Sequence, residues 1–147
     1  MKPASFEYLR PATLGEAVSL LGKLENDGVD VKILAGGQSL IPMLALRVAR
    51  PEIMIDLGGI KELDYIREEG NVIAIGTMAS KHAAGVSPLI EAKQRLFHDA
   101  TQLVGHRQIR NRGSVGGSFA HADPASEYPA VALVLGIEFK AVGPDGE

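Results

Sequence analysis

The 147-residue sequence predicts an α+β chain in two subdomains, and three observations carry that expectation. A β-branched run ends in Gly36-Gly37 and is followed by a short helical stretch and a second apolar run, which reads as one βαβ unit between residues 29 and 57. Residues 64–75 have the pattern of an antiparallel hairpin instead. The remainder alternates helical apolar stripes with glycine-rich breaks, and a composition of 46% hydrophobic and 22% charged residues suffices for one domain-sized core.

The elements follow in order. Thr13-Leu14-Gly15-Glu16 has the form of a capping box, and Leu14, Ala17, Val18, Leu21 and Leu24 recur at helical spacing, so a helix is expected over about 14–25. Asn26-Asp27-Gly28 stops it. Val29–Leu34 reads as a strand running into Ala35-Gly36-Gly37-Gln38-Ser39, a short helix spans Leu40–Arg47, and Ile53–Leu57 is a buried strand. The hairpin pairs Asp64–Arg67 with Val72–Ile75 across a turn at Glu68-Glu69-Gly70-Asn71. Ser87-Pro88 opens a helix expected to reach Gly105, with Ile90, Lys93, Phe97, Ala100 and Val104 on one stripe. The basic stretch His106–Arg112 then leads into a second glycine loop, Gly113-Ser114-Val115-Gly116-Gly117-Ser118. Asp123-Pro124 starts a last helix to Leu135, Ile137–Val142 reads as a strand, and Gly143-Pro144-Asp145-Gly146 as a tight turn. A turn of that kind joins two strands, so the second subdomain is expected to be cut short.

Composition excludes several chemistries. The absence of cysteine removes disulfides, thiolate zinc, iron–sulfur ligation and cysteine nucleophiles from this chain. A formal charge of -3 argues against a dedicated nucleic-acid binder, and no apolar run has signal-peptide or membrane-span length, so a soluble cytoplasmic protein is expected. His82, His98, His106 and His121 are not spaced as metal ligands, and no Ser, His and acid spacing singles out a triad. Arg107, Arg110 and Arg112 read as a phosphate or partner patch, or as a solvated loop. Glu127 falls in a helix's first turn, where an acid suits the dipole.

The 17 glycines hold the functional signal. A strand entering Gly36-Gly37 before a helix that begins at Ser39 offers backbone N–H groups to an anion, with no β-carbons in the way. Neither the G-x-G-x-x-G nor the G-x-x-x-x-G-K-[ST] pattern occurs, and alone such a turn is often only a turn. Asp56, about 20 residues on, has the place of a ribose-binding acid. Ser114-Val115-Gly116-Gly117-Ser118 repeats the pattern with two hydroxyls. One ligand with two adjacent phosphates accounts for both clusters, whereas the alternative needs two independent tight turns. Bulk at Gly37 or Gly117 is then expected to block the ligand with little loss of folding.

These stretches resemble the FAD-binding medium subunits of molybdenum hydroxylases, the carbon monoxide dehydrogenase and xanthine dehydrogenase group. The resemblance rests on Phe6–Thr13, Ala35–Leu44, Ile55-Asp56-Leu57, Ile109–Ser118 and Ala122–Ala130, in order along essentially the whole chain. It implies a PCMH-type, vanillyl-alcohol-oxidase-like fold, with residues 1–57 as the N-terminal FAD subdomain, residues 58–147 as an incomplete second one, and the family's C-terminal domain absent. It implies FAD contacts from Ala35, Gly36, Gly37, Gln38, Ser39 and Leu40, and from Val104, Gly105, Ser114, Val115, Gly116, Gly117, Ser118 and Glu127. Gln38 stands where many relatives have His or Asn, Glu127 where they usually carry Asp, and Val104 where some carry an aromatic. The implied activity is that of an oxidoreductase subunit. Substrate is oxidised on a molybdenum large subunit, and electrons pass through 2Fe-2S clusters of a small subunit to FAD and on to NAD, a quinone or oxygen, with no catalytic side chain on this chain. A stand-alone flavin oxidoreductase of the same fold and a truncated, non-binding fragment are the alternatives.

Overall fold

A computed structural model describes residues 1–144 and 146. The chain divides into two compact units, one of Met1–Glu62 joined by the segment from Phe139, the other Leu63–Glu138. Where the sequence reading divides the chain at residue 57, the first unit runs on to Glu62, whose carboxylate accepts the Leu14 N–H at 2.9 Å.

The first unit is a parallel sheet with its helices. Strand β1 (Glu7–Leu9), helix α1 (Leu14–Asn26), β2 (Val31–Leu34), α2 (Leu40–Ala45) and β3 (Ile53–Asp56) follow in order, and the sheet order is β1-β3-β2. Both neighbours run parallel to β3, with Tyr8 and Lys32 opposite Met54. The expected βαβ unit is therefore present. β1 was missed because three residues carry no readable period. Met54 and Ile55 are 1% and 0% exposed although they point to opposite faces, as a central parallel strand requires.

Local chemistry sets the ends. Thr13 Oγ1 accepts the Glu16 N–H at 3.2 Å, while the Glu16 carboxylate takes the N–H of Ala12, one residue before the usual capping-box partner. Asp56 closes β3: Oδ1 accepts the Gly58 N–H at 2.8 Å, Oδ2 accepts the Tyr8 hydroxyl, and Arg10 Nε lies 3.7 Å away. These bonds tie β1 to β3 and take up the carboxylate, so Asp56 is a structural cap. The same carboxylate holds the Tyr8 phenol above its ordinary pKa. We expect Asp56→Ala to cost about 1–2 kcal/mol in a urea titration, since a cap and a cross-strand bond are lost together. An unchanged midpoint would refute that role.

The second unit carries a hairpin and six short helices. β4 (Ile66–Glu69) pairs antiparallel with β5 (Val72–Ile75), with Glu69 opposite Val72, so the loop is Gly70-Asn71, where Gly70 adopts φ 60°. Then come α3 (Lys81–Gly85), α4 (Pro88–Lys93), α5 (Arg95–Leu103), α6 (Arg107–Arg112), α7 (Val115–His121) and α8 (Glu127–Leu135). The core gathers Ala84, Ile90, Phe97, Ala100, Val104, Val115, Tyr128 and Val131. At its centre Tyr128 is stacked between Phe97 and Phe119, each 5.1 Å away between ring centres.

Four expectations are corrected here. The helix expected from Ser87 to Gly105 breaks at Gln94, whose φ -138° and ψ 63° leave the helical region. Lys93, the polar member of its stripe, is turned outward to pair with Glu68, while Ile90 and Phe97 both remain buried. The second glycine loop is a helix: Gly116 and Gly117 lie in the first turn of α7. The last helix begins at Glu127, because Asp123 closes a turn by accepting the Ala125 N–H at 2.9 Å and the Ser126 N–H at 3.0 Å. Residues 137–142 form no strand. Their composition suits one, but a ladder needs a second strand in register, and among the described residues the sheets are β1-β3-β2 and β4-β5. Gly143 and Gly146 pair across the expected turn, of which Asp145 lies outside the described residues, as does Glu147.

Candidate cofactor-binding site

In the first unit, β2 delivers the chain into Ala35-Gly36-Gly37 at the end of an edge strand of the parallel sheet. Gly37 adopts φ 75° and its carbonyl accepts the Ile41 N–H at 2.9 Å, which turns the chain into α2. Among the described residues no acceptor takes the N–H groups of Gly37, Gln38 or Ser39. Ser39 is the cap of α2 yet makes no capping bond, and Gln38 reaches only the Gly36 carbonyl, at 3.3 Å. Three backbone donors and a free hydroxyl thus stand together at a strand end, beside a glycine pair without side chains. They fit an anionic group such as a phosphate.

Gly37 also answers the question of bulk. A β-carbon there would meet Ile41 Cγ1 at 3.0 Å and Leu34 Cδ1 at 3.2 Å in a left-handed backbone, so a larger residue strains the fold as well as the ligand's approach. The expectation of little folding loss does not hold at this position.

In the second unit, the glycine cluster is built differently. Ser114 Oγ accepts the Gly117 N–H at 3.1 Å, Val115 donates to Ala79 at 2.9 Å, Gly116 to Thr77 at 3.0 Å and Ser118 to Ser114 at 3.3 Å. Every N–H of the first turn is engaged by the chain itself. Gly116 has a packing reason, since its β-carbon would fall 1.7 Å from Thr77 Oγ1. What the cluster presents is a side-chain-free turn with the Ser118 hydroxyl, not a set of free N–H groups.

Val104 and Gly105 end α5. Val104 is buried, Gly105 adopts φ 58°, and Arg110 Nη1 binds the carbonyls of Gln102, Val104 and Gly105 at 3.1, 3.4 and 2.8 Å. Arg110 therefore has a structural duty. It also lines a cavity of about 150 Å³ with Arg107, His82, Gly85, Val86 and Gln102, which joins two arginines of the basic stretch to one histidine. Glu127 stands in the first turn of α8, partly buried. The neighbouring Tyr128 phenol is pushed up to about 12, chiefly by burial, and its hydroxyl lies 3.0 Å from Thr101 Oγ1, which itself donates to the Phe97 carbonyl. Sequence reasoning passed over Lys81, which is buried and has its ammonium 5.5 Å from the Tyr128 ring centre. The Ser80-Lys81 pair carried a cap signal, but nothing local marks a lysine as buried.

Among the described residues no group of histidines and carboxylates could hold a metal, and no helix is long and apolar enough to cross a membrane. Backbone donors at a parallel strand end and helix starts rich in Gly and Ser define a domain that binds and orients a cofactor. The chain belongs to the family of FAD binding domains in molybdopterin dehydrogenases, whose model matches residues 4–147. It is 44% identical to the carbon monoxide dehydrogenase medium chain of Hydrogenophaga pseudoflava over 99% of this chain and 50% of that protein. It is 40% identical to the caffeine dehydrogenase subunit beta of a Pseudomonas species over 92% of this chain and 45% of that protein. Among solved structures, reconstituted CO dehydrogenase from Oligotropha carboxidovorans matches with a TM-score of 0.94 at 41% identity, covering 99% of this chain and 50% of the other. The chain spans about half the length of the relatives it matches.

Proposed function

We propose that this chain binds FAD as part of a medium-type subunit of a cytoplasmic molybdenum hydroxylase. The observation that carries the reading is the trio of unpartnered N–H groups at Gly37, Gln38 and Ser39, in a chain whose family is defined by FAD binding. Ala35, Gly36, Gly37, Gln38, Ser39 and Leu40 hold the pyrophosphate on backbone donors. Val104, Gly105, Ser114, Val115, Gly116, Gly117, Ser118 and Glu127 supply the contacts of the second subdomain, by close approach and side-chain hydroxyls. The flavin supplies the electron-carrying chemistry. The residues of this chain bind it and set the charge around it.

In that role the chain accepts electrons from 2Fe-2S clusters on a small subunit and passes them to NAD, a quinone or oxygen, while a large subunit with the molybdenum cofactor oxidises the substrate. The relatives' substrates differ, from carbon monoxide to caffeine, at similar identity to this chain. That supports placing substrate choice outside these residues.

We expect the purified chain, incubated with FAD and desalted, to retain flavin absorbance bands in the visible. Loss of all flavin from protein with an intact circular dichroism spectrum would overturn the reading for these residues.

A further inference from the structure

Among the described residues Lys81 is the only charged side chain buried in the fold, at 7% exposure. Two contacts fix its place. Its N–H donates to the Gly113 carbonyl at 2.9 Å, and Ser80 forms an antiparallel bridge with Ser114, so Lys81 stands beside the residues that open α7. Its ammonium lies over Tyr128, on the helix that begins with Glu127.

The ring faces the ammonium, and no protein acceptor among the described residues forms a hydrogen bond or ion pair with Nζ. No polar side-chain atom sealed from solvent is left without a partner, so the ammonium keeps an opening to the outside while its stem is buried. Burial pushes Lys81 below the usual lysine range, with the Glu127 carboxylate opposing that shift. A lysine that serves only packing needs no charge at such a place, because an apolar side chain of similar length fills it at less cost.

The α7 turn supplies the complementary fact. Its backbone donors, from Val115 to Ser118, are all engaged, so an anion beside this turn is met there by side chains. Lys81 is the buried cation placed beside that turn.

We infer that Lys81 is a ligand-binding residue of the second unit, whose ammonium donates to a phosphoryl oxygen of a bound dinucleotide. The inference rests on the FAD reading for the identity of the dinucleotide. Glu127 balances the charge when no ligand is present, and the acceptor is a phosphate because an ammonium without protein acceptors is best met by an anion.

The test is a set of dissociation constants for ADP, FAD and riboflavin on the 147-residue chain, its Lys81→Met and Lys81→Arg variants, and the thermal midpoint of each without ligand. We expect Lys81→Met to weaken ADP and FAD by roughly tenfold or more, the loss of a charge-assisted hydrogen bond, and to leave riboflavin within about twofold. Its thermal midpoint should hold or rise, since a buried charge is removed. Lys81→Arg should keep ADP and FAD within about threefold, because the charge and donors remain. Unchanged ADP binding in Lys81→Met would overturn the inference, as would equal weakening of all three ligands together with a lower midpoint. If the wild-type chain binds ADP through Lys81 but not FAD, the phosphate role stands and the FAD reading falls. If it binds neither, both fall.

Discussion

Gly116→Ala is expected to destabilise the second unit by about 3 kcal/mol or more, the range of forced overpacking at a rigid contact. The added methyl would lie 1.7 Å from Thr77 Oγ1 and 2.6 Å from Thr77 Cα. The side-chain clash alone could be relieved by a rotamer change. The backbone clash cannot, because Gly116 also donates its N–H to the Thr77 carbonyl at 3.0 Å, and that bond fixes the two segments against each other. Thr77→Gly should therefore rescue Gly116→Ala only in part. Chemical denaturation of the two single variants and the double variant measures this directly. A Gly116→Ala protein within about 0.5 kcal/mol of wild type would show that the turn moves freely, contrary to this account.

Tyr128→Ala is expected to cost about 3–5 kcal/mol, the range for truncating a large buried aromatic. Tyr128 is 0% exposed, and its ring is the middle layer between Phe97 and Phe119. Removing it takes the central ring away from Phe97 and Phe119 and the ring face away from the Lys81 ammonium. Tyr128→Phe should cost only about 1 kcal/mol, since Thr101 Oγ1 keeps its bond to the Phe97 carbonyl and loses a single partner. The two variants also differ in pH behaviour. The Tyr128 phenol is raised from 10.0 to about 12 in the fold, so it favours the folded state fully below pH 10, and that contribution is lost as pH climbs toward 12. Urea midpoints followed across that interval should fall more steeply for wild type than for Tyr128→Phe. Equal slopes would mean that the phenol is not protected by burial. The Tyr8 phenol shifts in the same direction and is present in both proteins, so it does not blur the comparison.

The lines of the fold that the sequence announced are those written in local patterns. Thr13 ahead of an apolar stripe, the β-branched run into Gly36-Gly37, Gly70 in a hairpin turn and Ser87-Pro88 at a helix start all act within a few residues of themselves. The elements it misjudged are those whose conformation answers to distant residues. Gly116-Gly117 reads as a loop because glycine is a poor helix former, yet Thr77 and Ala79 hold the turn open for α7 through hydrogen bonds from more than 30 positions away. Gln94 breaks a helix that its own neighbours would continue, with Ile90 and Phe97 buried on either side of it. Residues 137–142 have strand composition and no ladder.

The candidate site divides along the same line. Gly37, Gln38 and Ser39 were legible, because a strand, a glycine pair and a helix start in sequence order already specify free N–H groups. The family was legible too, since motif order survives as plain text. Asp56 as a cap for Tyr8 and Gly58, Arg110 as a clamp on three carbonyls, and Lys81 as a lysine with a buried stem were decided only when separated segments came together. Backbone geometry is a local property of a few residues and is written in their identities. Burial and charge pairing depend on which segments meet, and only the tertiary structure decides that.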